Sequence, residues 1–154
     1  MKRRLCFMLT VVLVMLMLPS VVLGGEVDEI TILHTNDTHS RIEAGKYAGM
    51  GFAKISSLIN DYRSQSENVL VLDAGDTFHG QTIANLVKGE SVVKVLNAIG
   101  YDAMVPGNHD FNYGQQRLLE LDQMADFPIL AANVKKGSET VLQPYLIKNV
   151  AGLK

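Results

Sequence analysis

The chain has 154 residues, of which 47% are hydrophobic and 19% charged, with a formal net charge of -2 at pH 7; this balance excludes a disordered or repetitive chain and leaves one globular domain as the default. No basic face or stripe accompanies it, which excludes a nucleic-acid polymer as the partner. The only cysteine is Cys6, so the remainder can form no disulfide.

Lys2, Arg3 and Arg4 precede an apolar stretch from Leu5 to Leu18, and Val22 and Gly24 put small residues before a cut. Residues 1–24 therefore read as a secretory signal peptide; their apolar length also admits an uncleaved membrane anchor. Either way the protein is expected to be exported, to the periplasm, the cell surface or the outside, touching a membrane only through that segment if it is kept. Cleavage would remove three of the 14 Lys and Arg and none of the 16 Asp and Glu, leaving a more acidic mature chain.

Glu29 to Asn36 has the apolar pattern of a strand and ends in turn chemistry at Asn36, Asp37 and Thr38. Phe52, Ile55, Ile59 and Tyr62 fall at helical spacing. The apolar run Val69 to Leu72 predicts a strand covered on both faces, stopping at Asp73-Ala74-Gly75. A helical region follows from Thr82 to Ile99, broken at Gly89, then a short strand at Ala103 to Val105, a helix around Leu118 to Met124 and a fourth strand over Phe127 to Ala132. The last segment, 133–154, reads as a loop leading to a hairpin around Tyr145, Ile147 and Val150. Strand and helix alternate, which predicts an α/β fold with a mostly parallel sheet and helices on both faces.

Three clusters of metal-capable side chains each follow a predicted strand: Asp37 with His39, Asp73 with Asp76, and Asn108 with His109 and Asp110. In an open α/β sheet the carboxyl ends of the strands share one edge, so such clusters converge. Taken singly, each also reads as a turn. Together they put acids, an amide and imidazoles at every corner of one edge, which turns alone do not require. A carboxylate at Asp76 could bridge two cations, and His109 suits proton transfer or charge stabilisation on a phosphoryl oxygen.

The blocks Asp37-Thr38-His39, Gly75-Asp76 and Gly107-Asn108-His109-Asp110 resemble those of the calcineurin-like metallophosphoesterases, and the flanking Ile32 to His39 and Gly107 to Gly114 resemble the secreted 5′-nucleotidase branch. The resemblance covers nearly all of residues 25–154 and implies the first half of that family's α/β sandwich, an incomplete N-terminal part of the phosphoesterase domain. It implies two divalent cations, zinc, manganese or similar, with Asp37 and His39 on the first, Asp76 bridging and Asn108 on the second. His109 would be catalytic, supported by Asn112 or by Asp110, and the substrate a nucleotide or related phosphate ester. Two features depart from the family's pattern. Asn112 stands where many 5′-nucleotidases carry an aspartate, a form shared with relatives acting on 2′,3′-cyclic nucleotides. The histidine-rich blocks that supply further ligands downstream are absent, since the histidines are His34, His39, His79 and His109. The resemblance thus implies a truncated nucleotidase with weak activity or none by itself; a cyclic-nucleotide phosphodiesterase and 3′-nucleotidase, or a metal-binding domain without catalysis, remain open. His34 is expected to be structural, and His79 has no assigned role.

Overall fold

A computed structural model describes residues 29–46 and 49–153. The expected signal over 1–24 lies outside the described residues, among which no helix is long and apolar enough to cross a membrane.

Three parallel strands form the sheet in the order β1-β2-β3: β1 (Thr31–Thr35), β2 (Val69–Asp73) and β3 (Ala103–Met104). Register pairs Thr31 with Val69, Thr35 with Asp73 and Asp73 with Met104. The helices are α1 (Gly51–Gln65), α2 (Thr82–Asn85), α3 (Glu90–Ile99) and α4 (Gln115–Met124), with a 3-10 turn at His109–Phe111. Successive strands step in one direction, and right-handed crossovers in one direction put their helices on one face. Phe52 and Ile59 of α1, Val92, Val93 and Leu96 of α3, and Leu118 and Leu121 of α4 are buried there in one core with Val69, Val71 and Met104. The opposite face is open at β1, where Ile32 is 58% exposed and His34 is also exposed.

The α/β class with a parallel sheet is as expected. The region 82–99 splits into α2 and α3, and Gly89, at φ 89, starts α3. Arg63 at the end of α1 donates to the Ile99 and Gly100 carbonyls at 2.8 and 2.5 Å, a cation on the free carbonyls of the α3 C-terminus.

Three expectations differ. The helices pack on one face of the three strands and not on both, because strand order runs in one direction. Over 127–132 there is no continuous fourth strand: Met104 bridges Ile129, Leu130 N donates to Met104 O at 2.7 Å, and Leu130 bridges Gln143. Pro128 has no N–H to offer, and β3 has only two residues to pair with. The hairpin near the end falls earlier than expected, at β4 (Lys135–Lys136) and β5 (Glu139–Thr140), while Tyr145 and Ile147 are exposed.

Candidate metal centre

The loops after β1 and β2 stay paired beyond the strands. Ala74 N donates to Thr35 O, Asp37 N to Gly75 O, His39 N to Asp76 O and Ser40 N to Thr77 O, all at 2.8–3.0 Å. This laddering of two irregular loops sets Asp37 and His39 against Asp76. One ligand-capable atom from each of the three lies within 4.8 Å of the others. His39 Nε2 is 3.9 Å from Asp37 Oδ1.

That geometry is strained. Six non-glycine residues among those described have positive φ, and four of them, Asp37, His39, Ser40 and Asp76, ring this point. Each costs about 1–2 kcal/mol relative to an ordinary conformation and persists only where neighbours over-determine it. The loop ladder does so, and Ser40, fully buried, adds a bond from Oγ to Thr77 O at 3.0 Å.

The third cluster joins from the 3-10 turn. His109 N donates to Asp76 Oδ1 at 2.7 Å, which ties the third strand's loop to the second's. Two glycines permit this approach: a Cβ on Gly107 would lie 2.2 Å from Asp76 Oδ1, and one on Gly75, at φ 93, would lie 2.2 Å from Gly107 N. The His109 ring stands edge-on to His39, centroids 5.2 Å apart. Asn112 Nδ2 lies 3.0 Å from His109 Nδ1. The amide can donate to Nδ1 or, turned about its own bond, accept from Nδ1–H, so Asn112 orients the ring in either form. Asn108 is exposed at the head of the turn, its side chain without a hydrogen bond to described residues, between two neighbours that touch Asp76.

Asp110 is placed differently from the other candidates. Its fully buried carboxylate accepts four backbone N–H groups: Asp76 and Gly107 on Oδ2 at 2.7 and 2.8 Å, Thr77 and Phe78 on Oδ1 at 2.9 and 2.8 Å. Both oxygens face the loop backbone, and Asn112, not Asp110, contacts the His109 ring.

A second buried acid lies beneath the loops. Asp73, 2% exposed, accepts from Thr35 Oγ1 at 2.6 Å, Gly75 N at 2.9 Å and Thr77 Oγ1 at 2.9 Å; Tyr101 Oη shares the Thr35 hydroxyl at 2.9 Å. Burial pushes the Asp73 carboxyl up to about 6 against these stabilising bonds, with Asp110 adding to the rise, and burial pushes the Tyr101 phenol up to about 12. The inward alternation of Val69, Val71 and Asp73 along β2 is the signal that could have found it. His34 lies apart, exposed on the open face of β1. His79 lies inside the site, its ring near-parallel to His109 at 6.1 Å.

The donor set of two carboxylates and an imidazole fits a divalent cation of the zinc or manganese type. Buried Asp73 and Asp110 behind exposed Asp37 and half-buried Asp76 gather negative charge that favours cations at this rim.

A parallel sheet whose strand ends gather such donors is the architecture of a metal-dependent phosphoesterase, and the calcineurin-like phosphoesterase family model matches residues 30–150. The chain belongs to that family, in its 5′-nucleotidase branch. It is 43% identical over 142 residues to the snake venom 5′-nucleotidase of Gloydius brevicauda, spanning 82% of this chain and 24% of that protein. To the 5′-nucleotidase of Homo sapiens it is 43% identical over 119 residues, or 70% and 21%. The 5′-nucleotidase precursor of Thermus thermophilus superposes with a TM-score of 0.71 at 31% identity, over 80% of this chain and 26% of that one. The NAD nucleotidase of Haemophilus influenzae gives 0.69 at 31%, over 80% and 27%. The chain spans about a quarter of the length of these relatives.

Proposed function

We propose that this chain carries the first part of a metal-dependent phosphoric ester hydrolase acting on nucleotides, and that residues 1–24 export it. The observation that carries the reading is the convergence of Asp37, His39 and Asp76 within 4.8 Å, with His109 tied to Asp76. Two divalent cations would be held by Asp37 and His39 on one side and Asn108 on the other, with Asp76 between; when bound they supply Lewis acidity and stabilise charge on the phosphoryl group. The protein's own part is placement and proton supply. Asn112 engages Nδ1 of His109, which leaves Nε2 as the ring nitrogen available to the substrate. As water adds to phosphorus and the ester P–O bond breaks, an imidazolium at His109 would give its Nε2 proton to the leaving oxygen and become the neutral ring, with the Asn112 amide turning its oxygen to Nδ1–H while the proton is held. Four donor residues shared by two cations give the second only Asp76 and Asn108, so weak turnover or none is expected of these 154 residues.

The test is Mn²⁺ titration of the full chain with AMP hydrolysis measured alongside. Asp76→Ala should lose Mn²⁺ affinity by more than about tenfold, and any phosphate release should vanish in the variant and in chelator. Undiminished Mn²⁺ affinity in Asp76→Ala, or phosphate release indifferent to chelator, would sink the reading.

A further inference from the structure

His79 sits in the loop between β2 and α2, half-buried, and nothing above uses it. Its ring is held on two sides, near-parallel to His109 at 6.1 Å with an interplanar angle of 12°, and 5.3 Å from the ring of Tyr113. The frame around it is itself fixed. The Asn85 side chain clamps the next residue, accepting from Gly80 N at 3.1 Å and donating to Gly80 O at 3.2 Å, while Tyr113 Oη donates to Asn85 Oδ1 at 2.6 Å. Gly80 passes so close to His39 that a Cβ there would lie 2.3 Å from the His39 carbonyl oxygen. The imidazole is thus oriented from both sides of the metal centre, yet its ring nitrogens make no hydrogen bond to any described residue. It lies outside the ligand-capable group of Asp37, His39 and Asp76.

A ring packed only for shape needs no nitrogen left free at the mouth of a charged site. An imidazole N–H reaches a phosphate oxygen at about 2.8 Å, and ring centroids 6.1 Å apart are close enough for one phosphate to lie within reach of both His79 and His109. We propose that His79 is a substrate-contacting residue, donating to an oxygen of the phosphoryl group bound at the metal centre and gripping that group together with His109. This rests on the hydrolase reading above. It adds a recognition role that the three metal-site motifs do not contain, and it makes Asn85 and Tyr113 positioning residues for that contact.

The experiment uses the full chain with Mn²⁺, and inorganic phosphate as the probe, read by ³¹P line broadening from the bound ion. His79→Phe keeps an aromatic ring in the stack but removes both nitrogens; His79→Gln restores one N–H donor. Phosphate affinity should fall about tenfold in His79→Phe and return to within about threefold of wild type in His79→Gln, as for one hydrogen bond to a charged acceptor. Mn²⁺ affinity and the thermal midpoint should match wild type in both. Wild-type phosphate affinity in His79→Phe overturns the contact while leaving the hydrolase reading intact. Loss of Mn²⁺ in His79→Phe overturns it too, by making the residue a ligand or a structural support. Failure of the wild type to bind Mn²⁺, or retention of Mn²⁺ by Asp76→Ala, overturns the hydrolase reading and the contact with it.

Discussion

The rim of the sheet and the segment 143–149 are both irregular backbone, and they are held in opposite ways. At the rim, residues 75–78 and 107–110 have no strand pairing or long helix of their own, yet Asp110 collects four of their amides and Asp73 fastens Gly75 and Thr77 from below. Along 143–149 every residue is exposed, and beyond Gln143 the tie to the body is a contact between Lys148 and Asp102. Irregular backbone is held where buried carboxylates add to a short loop-to-loop ladder, since each charge-assisted bond contributes more than a neutral one. Where no such acceptor lies beneath it, the same kind of backbone is left to water.

If that contrast is right, the largest loss comes from the acceptor with the most donors. Asp110→Asn keeps size and shape, but an amide can accept on only one side and must turn its NH₂ toward two backbone N–H groups. Unfolding in urea should show a loss of about 3–5 kcal/mol, or no folded protein, because a buried network is broken rather than trimmed. A loss below about 1 kcal/mol would mean that the loops hold themselves. Next comes Gly107→Ala, whose Cβ has no room beside Asp76 Oδ1. Asp76 must swing away or the loops must part, at an expected cost of about 2–4 kcal/mol in stability, with Mn²⁺ affinity falling more than about tenfold by calorimetry.

These two residues also mark what could be read in advance. The convergence of Asp37, His39 and Asp76 was legible, because strand order and the carboxyl-edge rule depend only on periodic patterns, and Val69 to Leu72 states its strand plainly. The direction of Asp110 was not. It directly follows His109, and only the 3-10 turn decides that the imidazole faces the site while the carboxylate turns inward. Pattern also failed at 127–132, where an apolar run cannot report that its partner β3 has two residues. It failed again at Lys135–Thr140, whose polar two-residue strands carry no apolar alternation.

Asp73 makes the third prediction and gives it a pH sign. Its carboxyl is raised from an unfolded value near 3.8 to about 6 in the folded protein, so the folded state binds the proton more tightly. Stability from this group is therefore fully present below pH 3.8 and is lost as pH rises through 6, by about 3 kcal/mol at most. Asp73→Asn can keep the network, since the hydroxyls of Thr35 and Thr77 can accept from the amide as readily as donate. In chelator, the difference in unfolding free energy between variant and wild type should grow in the variant's favour from pH 4 to pH 7. A difference flat across that window would show that the charged form fits as well as the neutral one.

The smallest effect is expected at the other end of the comparison, and it is small for a stated reason. Asp102 does not depend on Lys148: its Oδ2 accepts from Val71 N at 2.8 Å and lies 3.7 Å from Arg63 Nη2. Lys148 is 43% exposed, so its attraction to Asp102 is screened and offset by the order imposed on a long side chain. Lys148→Met should change stability by less than about 0.5 kcal/mol, leave Mn²⁺ affinity unchanged and speed proteolysis within 143–149. A loss above about 2 kcal/mol would mean that the segment is part of the cooperative unit, and that one exposed ion pair does for it what buried Asp110 does for the rim.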